Sequence, residues 1–132
     1  RANFNAYIWW YGKRFYGMIG QEGTVTKRGF VVSQFARFIR QGAVRLSTSA
    51  NTRPEVLVSS YRNGAKRVLV LINKGVFKVK QTIRFQDITV GSFLPYTTSA
   101  AENVAQGATA SVAGNSIVYT LPAGSITTLV EQ

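Results

Sequence analysis

The chain has 132 residues, 45% of them hydrophobic, which is enough for one packed domain and argues against disorder. Sixteen Lys and Arg against five Asp and Glu give a net charge of +11, a balance that suits a polyanionic partner but equally describes a basic surface with none. With no cysteine and no histidine, the chain excludes disulfides, thiol chemistry, Cys/His zinc sites and a serine–histidine triad within itself.

Residues 3–11, NFNAYIWWY, are apolar and aromatic almost without a break, the pattern of a strand buried on both faces. Both tryptophans of the chain stand side by side there. Neighbours on a strand point to opposite faces, so Trp9 and Trp10 cannot both serve one core. Gly12, Gly17, Gly20 and Gly23 then punctuate a loop. Thr26 is placed to cap a helix predicted over Lys27–Arg40. Its stripe is Phe30, Val31, Phe35, Phe38 and Ile39, with Lys27, Gln34, Arg37 and Arg40 mostly on the other side. Arg40 falls in the last turn and Gln41-Gly42 ends it. Strand, loop and helix make one βα unit.

The remainder reads as short strands: VRLST (44–48), EVLVSSYR (55–62), RVLVLIN (67–73), FKVKQTIRF (77–85), ITVGSFLPYTT (88–98), ATASVAG (108–114), SIVYTL (116–121) and SITTLVE (125–131). Turn signals at Asn63-Gly64, Lys74-Gly75, Gly114-Asn115 and Pro122-Ala123-Gly124 separate them. A recurrence of about ten residues suits an antiparallel sandwich. A lone βα unit cannot bury a helix stripe and both faces of an aromatic strand. Residues 1–42 are therefore expected to be the last βα unit of a larger α/β domain, and residues 43–132 an appended β-domain. The chain starts at Arg1 without a leader, as a mature or cut segment would. No apolar run approaches the roughly 20 residues of a membrane span.

The blocks AYIWWYGKRFYG, GTVTKRGFVVSQFARFIRQG, VLVSSYRNGAKRVLVLINKG, TTSAAENVAQG and LPAGSITTLV, in that order, resemble the carboxy-terminal third of bacterial glycoside hydrolase family 30 glucuronoxylanases. The resemblance implies a β-rich chain: an antiparallel β-sandwich side domain preceded by the last βα unit of a (β/α)8 barrel. Barrel substrates bind at the carboxy-terminal ends of the strands. Aromatic rings there offer flat apolar faces to sugars, and Arg offers a planar fork to a carboxylate. By resemblance, Trp10, Tyr11 and Arg14 contact the glucuronic acid branch of xylan, and Trp9 packs against the barrel or lines the sugar cleft. The family commonly has a branched apolar residue before two arginines, where this chain has Gly12-Lys13-Arg14. Lys13 is thus a second candidate for the acid, without bidentate geometry.

Retaining enzymes of the family use two glutamates about 5–5.5 Å apart, on the fourth and seventh barrel strands. None of Glu22, Glu55, Asp87, Glu102 and Glu131 is assigned to catalysis, so the chain alone is expected to be inert. The resemblance further implies a secreted, extracellular enzyme acting on xylan or another plant polysaccharide. Its other partner is the remainder of the barrel, and neither metal nor cofactor is expected. A membrane partner is not expected, nor is nucleic acid, since no recognition motif of the usual modules occurs. The alternative is a non-catalytic carbohydrate-binding β-sandwich, with Tyr61, Phe77, Phe85, Phe93, Tyr96 and Tyr119 as available aromatics.

Overall fold

The computed structural model describes residues 7–49, 53–86 and 88–132. Helix α1 (Lys27–Ala36) precedes eight strands: β1 (Val44–Leu46), β2 (Val56–Asn63), β3 (Lys66–Asn73), β4 (Val79–Arg84), β5 (Phe93–Thr98), β6 (Ala105–Gln106), β7 (Ser116–Leu121) and β8 (Ser125–Glu131). They form an antiparallel six-stranded sheet, ordered β1-β2-β3-β8-β5-β6, and a two-stranded sheet, β4-β7. The chain is thus β-rich, as expected.

Alternation along the strands decides what each face meets. Val56, Leu69, Leu71, Phe93 and Leu129 of the large sheet share a buried cluster with Val79, Ile117 and Leu121 of the small one. On β4 the bases go the other way: Lys80 and Arg84 are exposed while Val79 is buried. The opposite face of the large sheet carries Val68, Val70, Tyr96, Thr98, Ile126 and Thr128, and α1 packs there against β5 and β8. The β2–β3 turn falls at Gly64-Ala65, between the paired Asn63 and Lys66, where the Asn-Gly signal put it.

Four expectations need correction. The helix stops at Ala36 rather than Arg40. Residues 37–39 continue as a turn bonded back to Ser33 and Phe35 and pack on the sheet: the Phe38 ring lies 4.6 Å from that of Tyr96, and the Asn63 side chain donates to the Phe38 carbonyl (3.3 Å). Gln34 does not lie on the wet side but is completely buried. Four residues beyond Phe30 it shares that residue's face, and its polarity is satisfied there. In the amide orientation that matches every donor to an acceptor, its oxygen accepts from the Thr98 hydroxyl (2.8 Å) and its nitrogen donates to the Tyr96 carbonyl (3.2 Å). The Thr128 hydroxyl donates to the Gln34 backbone carbonyl (2.9 Å). Phe30, Phe35, Phe38 and Ile39 are only half-buried, and Val31 is exposed.

The third correction concerns residues 108–114, whose backbone pairs with the sheets through single bridges at Ala110 and Ala113 while Ala110 and Val112 pack on the core; the strand there is β6, a few residues earlier. Residues 88–92 likewise precede β5 rather than belong to it. The fourth is the opening strand. Residues 3–6 lie outside the described residues, and Tyr7–Tyr11 form no strand. A strand buried on both faces takes its hydrogen bonds from neighbours on each side, and neither sheet has a strand beside these residues.

At the end of β8, Glu131 is buried and ties β3 to the segment before β5. Its carboxylate accepts from the backbone N–H of Arg67 (2.8 Å) and Gly91 (3.0 Å) and pairs with the Arg67 guanidinium at 3.0 Å. Among the described residues no helix is long and apolar enough to cross a membrane.

Candidate functional site

Residues 7–19 form an aromatic loop leaning on the start of α1. Its frame is backbone: Arg14 N–H donates to Ile19 O (3.0 Å), Ile19 N–H to Gly12 O (2.9 Å) and Gly17 N–H to Arg14 O (2.8 Å). Gly17 is required where the chain crosses itself, since a Cβ there would lie 2.7 Å from Gly12 O and 2.8 Å from Arg14 N. Thr26 does two jobs. As N-cap of α1 its hydroxyl oxygen accepts from Gly29 N–H (3.2 Å), and the same hydroxyl reaches the Gly17 and Met18 carbonyls at 2.8 and 3.1 Å. Gly29 lets the helix approach that loop, because a side chain would collide with the Met18 carbonyl.

On this frame the two tryptophans part. Trp10 is 75% exposed, whereas Trp9 is half-buried, its indole N–H enclosed without a partner among the described residues and the Arg28 guanidinium 5.1 Å over its ring. Tyr11 has φ 61°, the left-handed region that costs a non-glycine residue about 1–2 kcal/mol. Strain of this kind gathers at ligand sites. It turns the Tyr11 ring outward against Trp10, 5.0 Å between centroids at 71°. Arg14 lays its guanidinium 4.4 Å over the Tyr11 ring. Trp10, Tyr11 and Arg14 are therefore one contiguous exposed group. Lys13, also exposed, contributes its backbone to the bridge with Ile19.

The group has members that the sequence did not single out. Tyr16 stands edge-on to Tyr11 (6.5 Å), and the 77%-exposed Phe15 packs on Tyr16 (4.7 Å). Their only signal was membership of the same aromatic run. Arg28 gave none, being one base among many on a helix. It contacts Trp9 and donates to the Tyr16 carbonyl.

The acids are occupied elsewhere. Glu131 is held by Arg67, Glu102 accepts from the Ser99 hydroxyl (3.0 Å), Glu55 lies 3.9 Å from Arg53, and Glu22 is exposed in the loop. Asp87 lies outside the described residues. Among the described residues no cluster of three or more acids could hold a metal. The aromatics named for a binding platform are mostly spent on packing: Phe93 is buried, Phe85 stacks on it, Tyr119 packs against the core and Tyr96 lies under Phe38. Of the six only Phe77 is largely exposed.

Comparison with known proteins points one way. The chain is 38% identical over 129 residues to glucuronoxylanase XynC of Bacillus subtilis (strain 168), covering 98% of this chain and 31% of that protein. It is similar to the carboxy-terminal third of a family 30 xylanase. The family 30 endoxylanase of Clostridium papyrosolvens C71 superposes with a TM-score of 0.80 at 40% identity, over 84% of this chain and 29% of that one. The family 30 subfamily 8 xylanase Xyn30A of Clostridium acetobutylicum gives a TM-score of 0.83 at 30% identity, over 88% and 30%. No family model matches the chain. The chain spans about a third of the length of the xylanases it matches.

Proposed function

We propose that this chain is the carboxy-terminal part of a secreted glycoside hydrolase that cleaves β-1,4-xylan bearing glucuronate branches. Residues 1–42 correspond to its last barrel βα unit, the strand of which needs the neighbouring barrel strands to form, and residues 43–132 to its side β-sandwich. The observation that carries the reading is the outward Trp10–Tyr11 pair with Arg14 stacked on Tyr11, in a chain 38% identical to a glucuronoxylanase. The rings present flat apolar faces to a sugar. Stacking on Tyr11 fixes the guanidinium plane and leaves its N–H edge free for a carboxylate, with bidentate hydrogen bonds that a lysine cannot make. Trp9 braces the loop from the inner side and Lys13 adds charge beside Arg14.

Glycosidic cleavage with retention needs an acid/base and a nucleophile, two carboxylates about 5–5.5 Å apart. The described acids of this chain are engaged in other contacts or lie apart in the loop, so the remainder of the barrel supplies the pair. This chain binds and orients the branch.

Arg14→Ala in the complete enzyme should remove a charge-assisted contact of about 1.5–3 kcal/mol. That corresponds to about a tenfold or greater loss of kcat/KM on glucuronoxylan, with little change on unbranched xylan. Arg14→Lys should recover part of it, and Lys13→Ala should cost less. Equal losses on both substrates would reject the reading, and a selective loss in Lys13→Ala would move the carboxylate contact to Lys13.

A further inference from the structure

Lys27 and Arg28 are the first two residues of α1, and its first turn holds no acid. The amino-terminal end of a helix carries partial positive charge, so two cations there oppose the local field. Each is matched by oxygens from a different part of the molecule. Lys27 Nζ donates to the Ser99 carbonyl (2.8 Å), the Glu102 carbonyl (3.0 Å) and the Asn103 side-chain oxygen, all in the β5–β6 connection. Arg28 turns the opposite way, donating to the Tyr16 carbonyl while its guanidinium covers Trp9.

Those two contacts bracket the exposed group. Trp9 immediately precedes Trp10, and Tyr16 lies in the turn that Gly17 N–H closes onto the Arg14 carbonyl and stands edge-on to Tyr11. The geometry points to Arg28 as a positioning residue: it holds Trp9 and Tyr16, on either side of the exposed group, to a helix that Lys27 moors to the β5–β6 connection of the large sheet. The six-stranded sheet thereby sets where the Trp10, Tyr11 and Arg14 side chains stand, without touching substrate. Arg28 acts through the loop and is not itself catalytic. The inference rests on the proposed role of Trp10, Tyr11 and Arg14 as the branch-contacting group.

The test is hydrogen–deuterium exchange of the full-length enzyme read by mass spectrometry, with kcat and KM on branched and linear xylan, for Arg28→Ala, Arg28→Lys and Arg14→Ala. Arg28→Ala should speed exchange in the peptide spanning residues 12–20 by about tenfold or more, the scale of one charge-assisted hydrogen bond. Exchange in β3 and β8 should stay at wild-type rates, which also shows that the variant is folded. KM on glucuronoxylan should rise several-fold with kcat largely kept, and Arg28→Lys, which keeps the charge without the flat stack, should fall between. Unchanged exchange over residues 12–20 overturns the inference whatever Arg14→Ala does. Faster exchange there with wild-type KM also overturns it. If Arg28→Ala loosens the loop and raises KM equally on both substrates, while Arg14→Ala shows no selectivity, Arg28 still positions the site and the glucuronate reading is what fails.

Discussion

At the level of single residues, Glu131 couples the fold to pH. Burial alone would push its carboxyl up. The N–H groups of Gly91 and Arg67 and the Arg67 guanidinium outweigh that and hold it below its ordinary value of 4.5. A depressed native pKa gives stability that is fully present above the unfolded value and is lost as pH falls through the folded one. Glu131→Ala should cost about 3 kcal/mol at neutral pH, the low end for breaking a buried ion pair, because Arg67 keeps some solvent. The difference from wild type should shrink as the pH falls below 4.5, and urea unfolding between pH 7 and about pH 3 would measure it. A gap that stays constant would mean the carboxylate charge is not what matters. The residue scale also shows where sequence reasoning ran out. That Trp9 and Trp10 face apart was expected from strand alternation, and they do part, though in a loop where no strand forms. The left-handed Tyr11 and the buried Gln34 do not follow, because hydropathy ranks a glutamine as wet and says nothing of a partner such as Thr98 sixty-four residues away.

At the level of elements, punctuation was more legible than extent. The Thr26 cap and the turn after Asn63 were readable because one side chain or one backbone conformation decides each. The helix end was not, since the Phe38–Tyr96 contact that holds the turn at residues 37–39 on the sheet is a tertiary one. The same holds for β6, two residues long and paired only with β5. The helix start yields a test in which propensity and packing disagree. Alanine is favoured over glycine inside a helix by about 1 kcal/mol, yet Gly29→Ala should lower Tm, because its methyl would strike the Met18 carbonyl and the Val25 side chain. A raised Tm would show that the loop moves aside freely. Thr26→Ala should cost about 1 kcal/mol as a lost cap, and it should also speed exchange near Gly17, whose carbonyl the hydroxyl binds.

For the molecule as a whole, the β-rich antiparallel architecture was readable from period-two runs at regular spacing, whereas the mutual arrangement of strands was not. The aromatic stripe of α1 is covered only in part. Beside Val31 and Phe35 an apolar groove of about 430 Å³ opens against Ile72 and Ile126. The purified 132-residue chain is therefore expected to self-associate on concentration, as exposed apolar patches do, and Val31→Lys should reduce that in sedimentation velocity with little change in Tm. It should also release no reducing sugar from glucuronoxylan, and measurable release would place a working carboxylate pair inside the chain. One more consequence follows from the strand order. β8, the last strand in chain order, lies at the middle of the large sheet, between β3 and β5. During synthesis β1-β2-β3 can zip as a meander while β5 waits with one flank open, and neither half can close over the core until residues 125–131 arrive. Assembly is then gated by residues 125–131. A ribosome-bound chain stopped before Ser125 should leave β5 and the core residues open to protease, with at most the β1-β2-β3 meander protected, and adding residues 125–131 should extend protection to both halves in one step.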